Sequence, residues 1–221
     1  NYVFQNFGGM ENSGVELSLN TKNIISKTNG LEWNSWINLS SNKNKVTELD
    51  SDNIISQRHI RKIGSDFNTL ILYGWAGVDP ATGNELYFTD ESKTETTTSV
   101  GSAKKFDHGK TTPDFYGSFT NIISYRNFSV TAQLYSSWGG QIYDVNGYAQ
   151  NDNGYRRMYD YSNTSKYVYD NRWQKPGDIT NVPMYKFGNS FSNNYSSRWL
   201  HDGSYVRLKK LELAYSFPNN L

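Results

Sequence analysis

Residues 115–138, FYGSFTNIISYRNFSVTAQLYSSW, decide the fold. From Phe128 the even positions read Phe128, Val130, Ala132, Leu134, Ser136 and Trp138, and the odd ones Ser129, Thr131, Gln133, Tyr135 and Ser137. Apolar on one side and polar on the other, with a period of two, is the pattern of a β-strand with one wet face. The preceding half supplies an independent check. A tight turn at Arg126-Asn127 puts Tyr125 opposite Phe128 and fixes every pair above it. That register sets Ile123 against Val130, Phe119 against Leu134 and Phe115 against Trp138. On the other face Ser124 meets Ser129, Thr120 meets Gln133 and Tyr116 meets Ser137. Three features fit poorly: Asn121 falls on the apolar face, Ile122 falls on the polar face, and the turn lacks the glycine that tight hairpins favour.

Similar alternation recurs along the chain. Val15, Leu17 and Leu19 oppose Glu16, Ser18 and Asn20; Leu31, Trp33, Ile37 and Leu39 oppose Glu32, Asn34 and Asn38, with Trp36 out of step. Leu211, Leu213, Tyr215 and Phe217 share a face opposite Lys210, Glu212 and Ser216. Weaker candidates are residues 67–76 and 85–89, which brings the expected total to about seven strands. The segments 115–125 and 128–138 match the ~9–11 residues of a membrane-crossing strand better than the ~5–6 usual in globular proteins. Short turns alternate with long stretches at 44–63, 90–113 and 139–203, the asymmetry of an outer-membrane barrel with short periplasmic turns and long extracellular loops. Tyr125, Phe128, Trp138, Tyr215 and Phe217 sit near segment ends, where barrels carry aromatic girdles. The expectation is an all-β, antiparallel transmembrane barrel section. Val130, Ala132, Leu134, Leu211 and Leu213 should face lipid, while Thr131, Gln133 and Tyr135 face the lumen.

Composition agrees with one wet face. Aromatic residues reach 15% while hydrophobic residues total only 36%, and the mean hydropathy is -0.74. Only alternate residues of a barrel strand need be apolar, so a polar average is compatible with a membrane location. The 22 basic and 21 acidic residues are spread without a basic stripe, which argues against nucleic acid as a partner. Without cysteine there is no disulfide framework or thiolate metal site. No run approaches the ~18 apolar residues of a spanning helix, so any crossing must use closed strands. Both ends read as internal cuts: NYVFQNFGG opens directly into strand-like sequence, and Phe217-Pro218-Asn219-Asn220 is turn composition that should lead into another strand.

Candidate chemistry is sparse. His59, His108 and His201 are isolated, with no second ligand at helical spacing, and no nucleophile elbow, Walker loop or dinucleotide fingerprint is present. The chain therefore reads as a non-enzyme without cofactor or metal. Asp79, Glu85, Asp90 and Glu91 could suggest calcium, but Asp79-Pro80 and Thr82-Gly83 are ordinary turn chemistry and the ligand spacing of a calcium loop is missing. The stretch from Gly139 to Trp199 is dense in tyrosine, tryptophan, asparagine and arginine, a mixture able to hold sugars or peptides, or else to pack as a loop's own core. Tyr155, Arg156, Tyr159 and Trp173 are its leading candidates for contact with substrate or with a partner lid. The competing architecture is a soluble carbohydrate-binding β-sandwich, whose strands also alternate. A secreted glycosidase ranks last, because sequence supplies no pair of carboxylates across a cleft.

Several stretches resemble the C-terminal barrel of SusC/RagA-type TonB-linked outer-membrane transporters: NFGGMENSGVELSL at 6–19, GVDPATGNELYF at 77–88, PDFYGSFTNIISYRNFSV at 113–130, Trp138-Gly139-Gly140-Gln141-Ile142-Tyr143, and HDGSYVRLKKLELAYSFP at 201–218. Their order matches as well. The resemblance spans nearly the whole chain and only the last third or so of such a protein. It implies a barrel of about twenty-two strands with a plug, whose plug and final strands lie outside residues 1–221. It further implies TonB-dependent import of glycans or peptides, with TonB engaged through the N-terminal region and a SusD-like surface lipoprotein capping the mouth. It transfers no catalytic residue.

Overall fold

In the computed structural model, residues 8–26, 28–155, 163–189 and 194–218 are described. Long strands dominate: β1 (Gly8–Ile25), β2 (Leu31–Leu49), β10 (Phe115–Tyr125), β11 (Phe128–Trp138) and β14 (Tyr205–Tyr215) form one antiparallel sheet in that spatial order. The pairing of β10 with β11 is the one read from the sequence, from Tyr125↔Phe128 at the turn to Phe115↔Trp138 at the far end. Arg126 takes the left-handed backbone (φ 52°) that a glycine would have supplied.

Because directly opposed residues share a face, the registers can be followed across the sheet. One row runs Leu19, Ile37, Phe119, Leu134, Leu208; another runs Ile24, Trp33, Ile123, Val130, Leu213; a third, Leu31, Tyr125, Phe128, Tyr215, lies at the turn end. Val130, Ala132, Leu134, Leu211 and Leu213 all belong to this apolar face, and its large side chains are exposed, Leu213 at 72% and Leu211 at 69%. The opposite face is polar: Ser18, Asn38, Ser118, Tyr135 and Arg207 form one row, and Asn20, Trp36, Thr120, Gln133 and Lys210 the next. A soluble sandwich would cover the apolar face with a second sheet. Among the described residues none packs there, so the sandwich reading is overturned.

The sheet has five long strands rather than about seven. Residues 67–76 and 85–89 belong elsewhere. β5 (Thr69–Tyr73) has four successive buried residues rather than alternation, and at five residues it is too short to span a bilayer. It joins β3 (Asn53–Ser56), β4 (His59–Lys62) and β9 (Lys105–Lys110) in a small sheet; β6 (Trp75–Val78), β7 (Glu85–Phe88) and β8 (Thr96–Thr97) form another. All of these lie within the single connection between β2 and β10. The connection between β11 and β14 carries β12 (Gln141–Tyr143), α1 (Val145–Gln150), α2 (Lys166–Asn171) and β13 (Leu200–Asp202). Both long connections therefore leave the same end of the sheet, and both tight turns close the other.

The register makes facing testable in the complete protein. Arginine at Ala132 is expected to cost roughly 2–4 kcal/mol near a bilayer midplane, and Thr131→Arg far less. Folding titrations in lipid vesicles measure both, and equal costs would contradict the assignment of faces.

Candidate functional site

The two long connections interlock into one head above the sheet. Tyr73 pairs with Ser196 as an isolated parallel bridge, its N–H donating to the Tyr195 carbonyl at 3.0 Å, and the Trp75 N–H donates to Ser197 Oγ at 3.0 Å. Further along, Gly177 N–H donates to the Pro80 carbonyl and Met184 N–H to that of Gly83. Leu70 and Leu72 from the first connection share a core with Tyr143 and Tyr148 from the second, sealed by Tyr195, Trp199 and Leu200. Arg58 lies over the rings of Tyr143 and Tyr195. Burial of apolar surface between loops of different hairpins is what orders segments that would otherwise be too polar to fold alone.

Arg198 is the electrostatic centre of this head. Its guanidinium packs over Trp75 and Trp199, at 5.0 and 4.5 Å from the ring centroids, and donates to Asn153 Oδ1 at 2.9 Å. Asn153, fully buried, donates onward to the Pro183 carbonyl. Desolvation lowers the Arg198 pKa, and the nearby Glu85 opposes that shift. Tyr87 donates to Glu85, and burial first, then the carboxylate, raises its phenol pKa far above the usual value. A buried charge needs such pairing to be tolerated.

Trp173 and Tyr155 lie in this head, whereas Arg156 and Tyr159 fall outside the described residues. The Trp173 indole N–H donates to the Pro80 carbonyl at 3.0 Å, and its ring lies against Gly83, where any Cβ would run into it. Gly83 also holds φ 72°, so both space and backbone require glycine there. Trp173 thus pins one connection to the other. Half-buried Tyr155 follows the buried corner Asp152–Gly154. A cavity of about 330 Å³ opens nearby, between Asn84, Glu85 and Ser99 of one connection and Pro183, Met184 and Lys186 of the other. That volume is at the lower end of the ~300–1,000 Å³ typical of ligand pockets.

The acidic stretch around Asp79 resolves into turns. Asp79 accepts from the Thr82 hydroxyl and the Ala81 N–H, which hold its carboxyl below the usual range. Asp90 accepts from Ser92, from the N–H and hydroxyl of Thr94, and from the Glu95 N–H, which bring it down to about 2, with the Ser92 hydroxyl the largest cause. Among the described residues no group of three or more histidine or acidic side chains is placed to hold a metal. His59 and His108 have lowered pKa values, burial being the main cause in each.

A polar wall opposite an apolar one, tight turns at one end and a folded head at the other define a section of an antiparallel transmembrane β-barrel. The chain is 31% identical over 166 residues to the TonB-dependent receptor P26 of Formosa agariphila, covering 66% of the chain and 16% of that protein. It is 26% identical to the TonB-dependent receptor SusC of Bacteroides thetaiotaomicron over 154 residues, covering 63% of the chain and 15% of SusC. Among solved structures, that of the RagAB peptide transporter superposes with a TM-score of 0.78 at 26% identity, over 98% of this chain and 24% of its counterpart. No protein-family model matches. The chain is similar to a section of the SusC/RagA-type TonB-linked barrels of the Gram-negative outer membrane, and it spans about a sixth of the length of the curated relatives it matches.

Sequence reasoning missed Arg198 and its meeting with Glu85 and Asn153, since the three lie far apart along the chain and come together only through the interlocked loops. Removing the pin is the test of that interlock. Trp173→Ala in the complete protein should cost the head about 2 kcal/mol, less than the ~3–5 of a fully buried tryptophan. The readout is several-fold faster limited proteolysis within 139–204, with heat-modified gel mobility of the barrel unchanged; an unaltered cleavage rate would contradict the pinning role.

Proposed function

We propose that the chain is the C-terminal part of one barrel domain in a SusC-like transporter that imports oligosaccharides or peptides across the outer membrane in a TonB-dependent manner. The observation that carries this reading is the two-faced sheet with every long insertion gathered at one end. The apolar face meets outer-membrane lipid, the polar face lines the transport path, and the head stands at the extracellular mouth. The relatives' names support the class: TonB-dependent receptors in two bacteria and a peptide transporter among the solved structures. TonB is engaged by the N-terminal region of the whole protein, and a SusD-like lipoprotein is the partner that meets the head. The chain acts without catalysis, cofactor or metal.

Tyr155, Arg156, Tyr159 and Trp173 are the residues proposed to touch substrate or lid; of these, Tyr155 directly follows the buried corner Asp152–Gly154. Trp173 also joins the two connections through its contacts with Gly83 and Pro80. Alanine at Arg156 and Tyr159 together, in the complete transporter, should weaken substrate binding or lipoprotein co-purification several-fold while barrel assembly is retained. Unchanged binding, unchanged lid association and unchanged uptake would overturn the assignment of these residues. Loss of uptake on deleting TonB tests the transport reading independently.

A further inference from the structure

The polar face of the sheet carries a feature that alternation alone would not produce. Between Gln133↔Lys210 and Leu134↔Leu208 the ladder shifts register, leaving Lys209 as an extra residue in β14. Such a bulge re-aims a side chain. Lys209 accordingly turns to the polar face, its ammonium 5.5 Å from the centroid of the Tyr135 ring. Beside it, Arg207 lies over Tyr205 at 5.3 Å, and Tyr135 and Tyr205 are themselves 6.0 Å apart. Two cations and two rings therefore form one cluster. Lys210 is already paired with Glu212 at 2.9 Å, whereas among the described residues neither Arg207 nor Lys209 has a carboxylate partner.

This cluster ends a track across the wall. In the row of Arg207, Ser18 donates to Asn38 Oδ1 at 2.8 Å, Asn38 donates in turn to Ser118 Oγ, and Tyr135 follows. A groove of about 320 Å³ runs along it, bordered by Ser40, Tyr116 and Tyr135, with the Glu16 carboxylate at the β1 side, the side away from Arg207 and Lys209. Hydroxyl and amide groups in a groove suit a hydrated oligomer, and two cations at its end without a carboxylate partner among the described residues, held beside two rings, suit a negative charge.

We propose that Tyr135, Tyr205, Arg207 and Lys209 form a substrate subsite on the lumen wall that binds a carboxylate- or sulfate-bearing oligomer, the anion on Arg207 and Lys209 and the chain along the Ser18–Ser118 groove. This deepens the importer reading and rests on it. The test uses the complete transporter in detergent, titrated with hexagalacturonate and maltohexaose as one pair and hexaglutamate and hexaserine as the other. At least one anionic probe should bind about tenfold more tightly than its neutral counterpart, the responding pair showing whether the charge sits on sugar or peptide. The preference should collapse in R207Q/K209Q and persist in K210Q, whose lysine is already ion-paired. In the wild type, raising salt should weaken the anionic probe far more than the neutral one, a readout that needs no variant to fold. Equal affinity within both pairs, a preference indifferent to salt, or one that survives in R207Q/K209Q overturns the subsite. Failure of import itself is read separately, as anionic binding intact in vitro with no TonB-dependent uptake in cells.

Discussion

Everything in this structure depends on the inter-strand register of the long sheet. With a side-chain period of two, a slip of one residue would send Leu134 and Val130 to the wet face and Gln133 and Thr131 to the apolar one. Two devices hold the register: the two-residue turn at Arg126-Asn127, with Arg126 in a left-handed conformation, and bulges placed where a strict ladder would misplace a side chain. The bulge at Lys22/Ile24 frees Asn23 to donate to Ser35 Oγ, and the one in β14 frees Lys209. The same mechanism thus completes a hydrogen bond near one side of the sheet and places a charge on the other.

The ladder also dictates where the loops go. Antiparallel strands joined by tight turns at one end must make their longer connections at the other, so the two large insertions are brought side by side without any attraction between them. Proximity then makes mutual burial possible. The buried cluster of Leu70, Leu72, Tyr143 and Tyr148 draws on both insertions. Trp75 and Trp199, one from each insertion, enclose the Arg198 guanidinium between them. The head is consequently a product of the barrel's topology and not a separately folded module.

The sheet was legible in the sequence because its physics is local: a period of two, a turn, and a partner segment next in the chain. The β10–β11 pairing follows from these alone. The head was not legible, since its strands are short and pair across long stretches of chain, and the most buried of them, β5, lacks the alternation of a wall strand. That is why residues 67–76 read as a wall element until the pairing of β5 with β9 placed them in the loop. Trp173 was singled out for its chemistry, but its role as a pin needed the position of Gly83, ninety residues earlier in the chain. Glu85 looked like a possible cation ligand and instead partners Tyr87 beside Arg198.

The residues that broke the alternation are explained by the sheet in ways a single strand could not show. Asn121, polar on the apolar face, accepts from the Trp33 indole at 2.9 Å and from Ser35 Oγ at 2.8 Å. A lone amide facing hydrocarbon would be costly, and hydrogen bonds made within the wall reduce that cost. Trp36 and Ile122, apolar on the wet face, are diagonal neighbours, since Trp36 opposes Thr120 and Ile122 opposes Asn34. They border a single hollow with Asn20 and Lys22. Each exception is therefore matched on the adjacent strand, so the faces of this barrel wall are set by neighbouring strands acting together rather than by the pattern of any one of them.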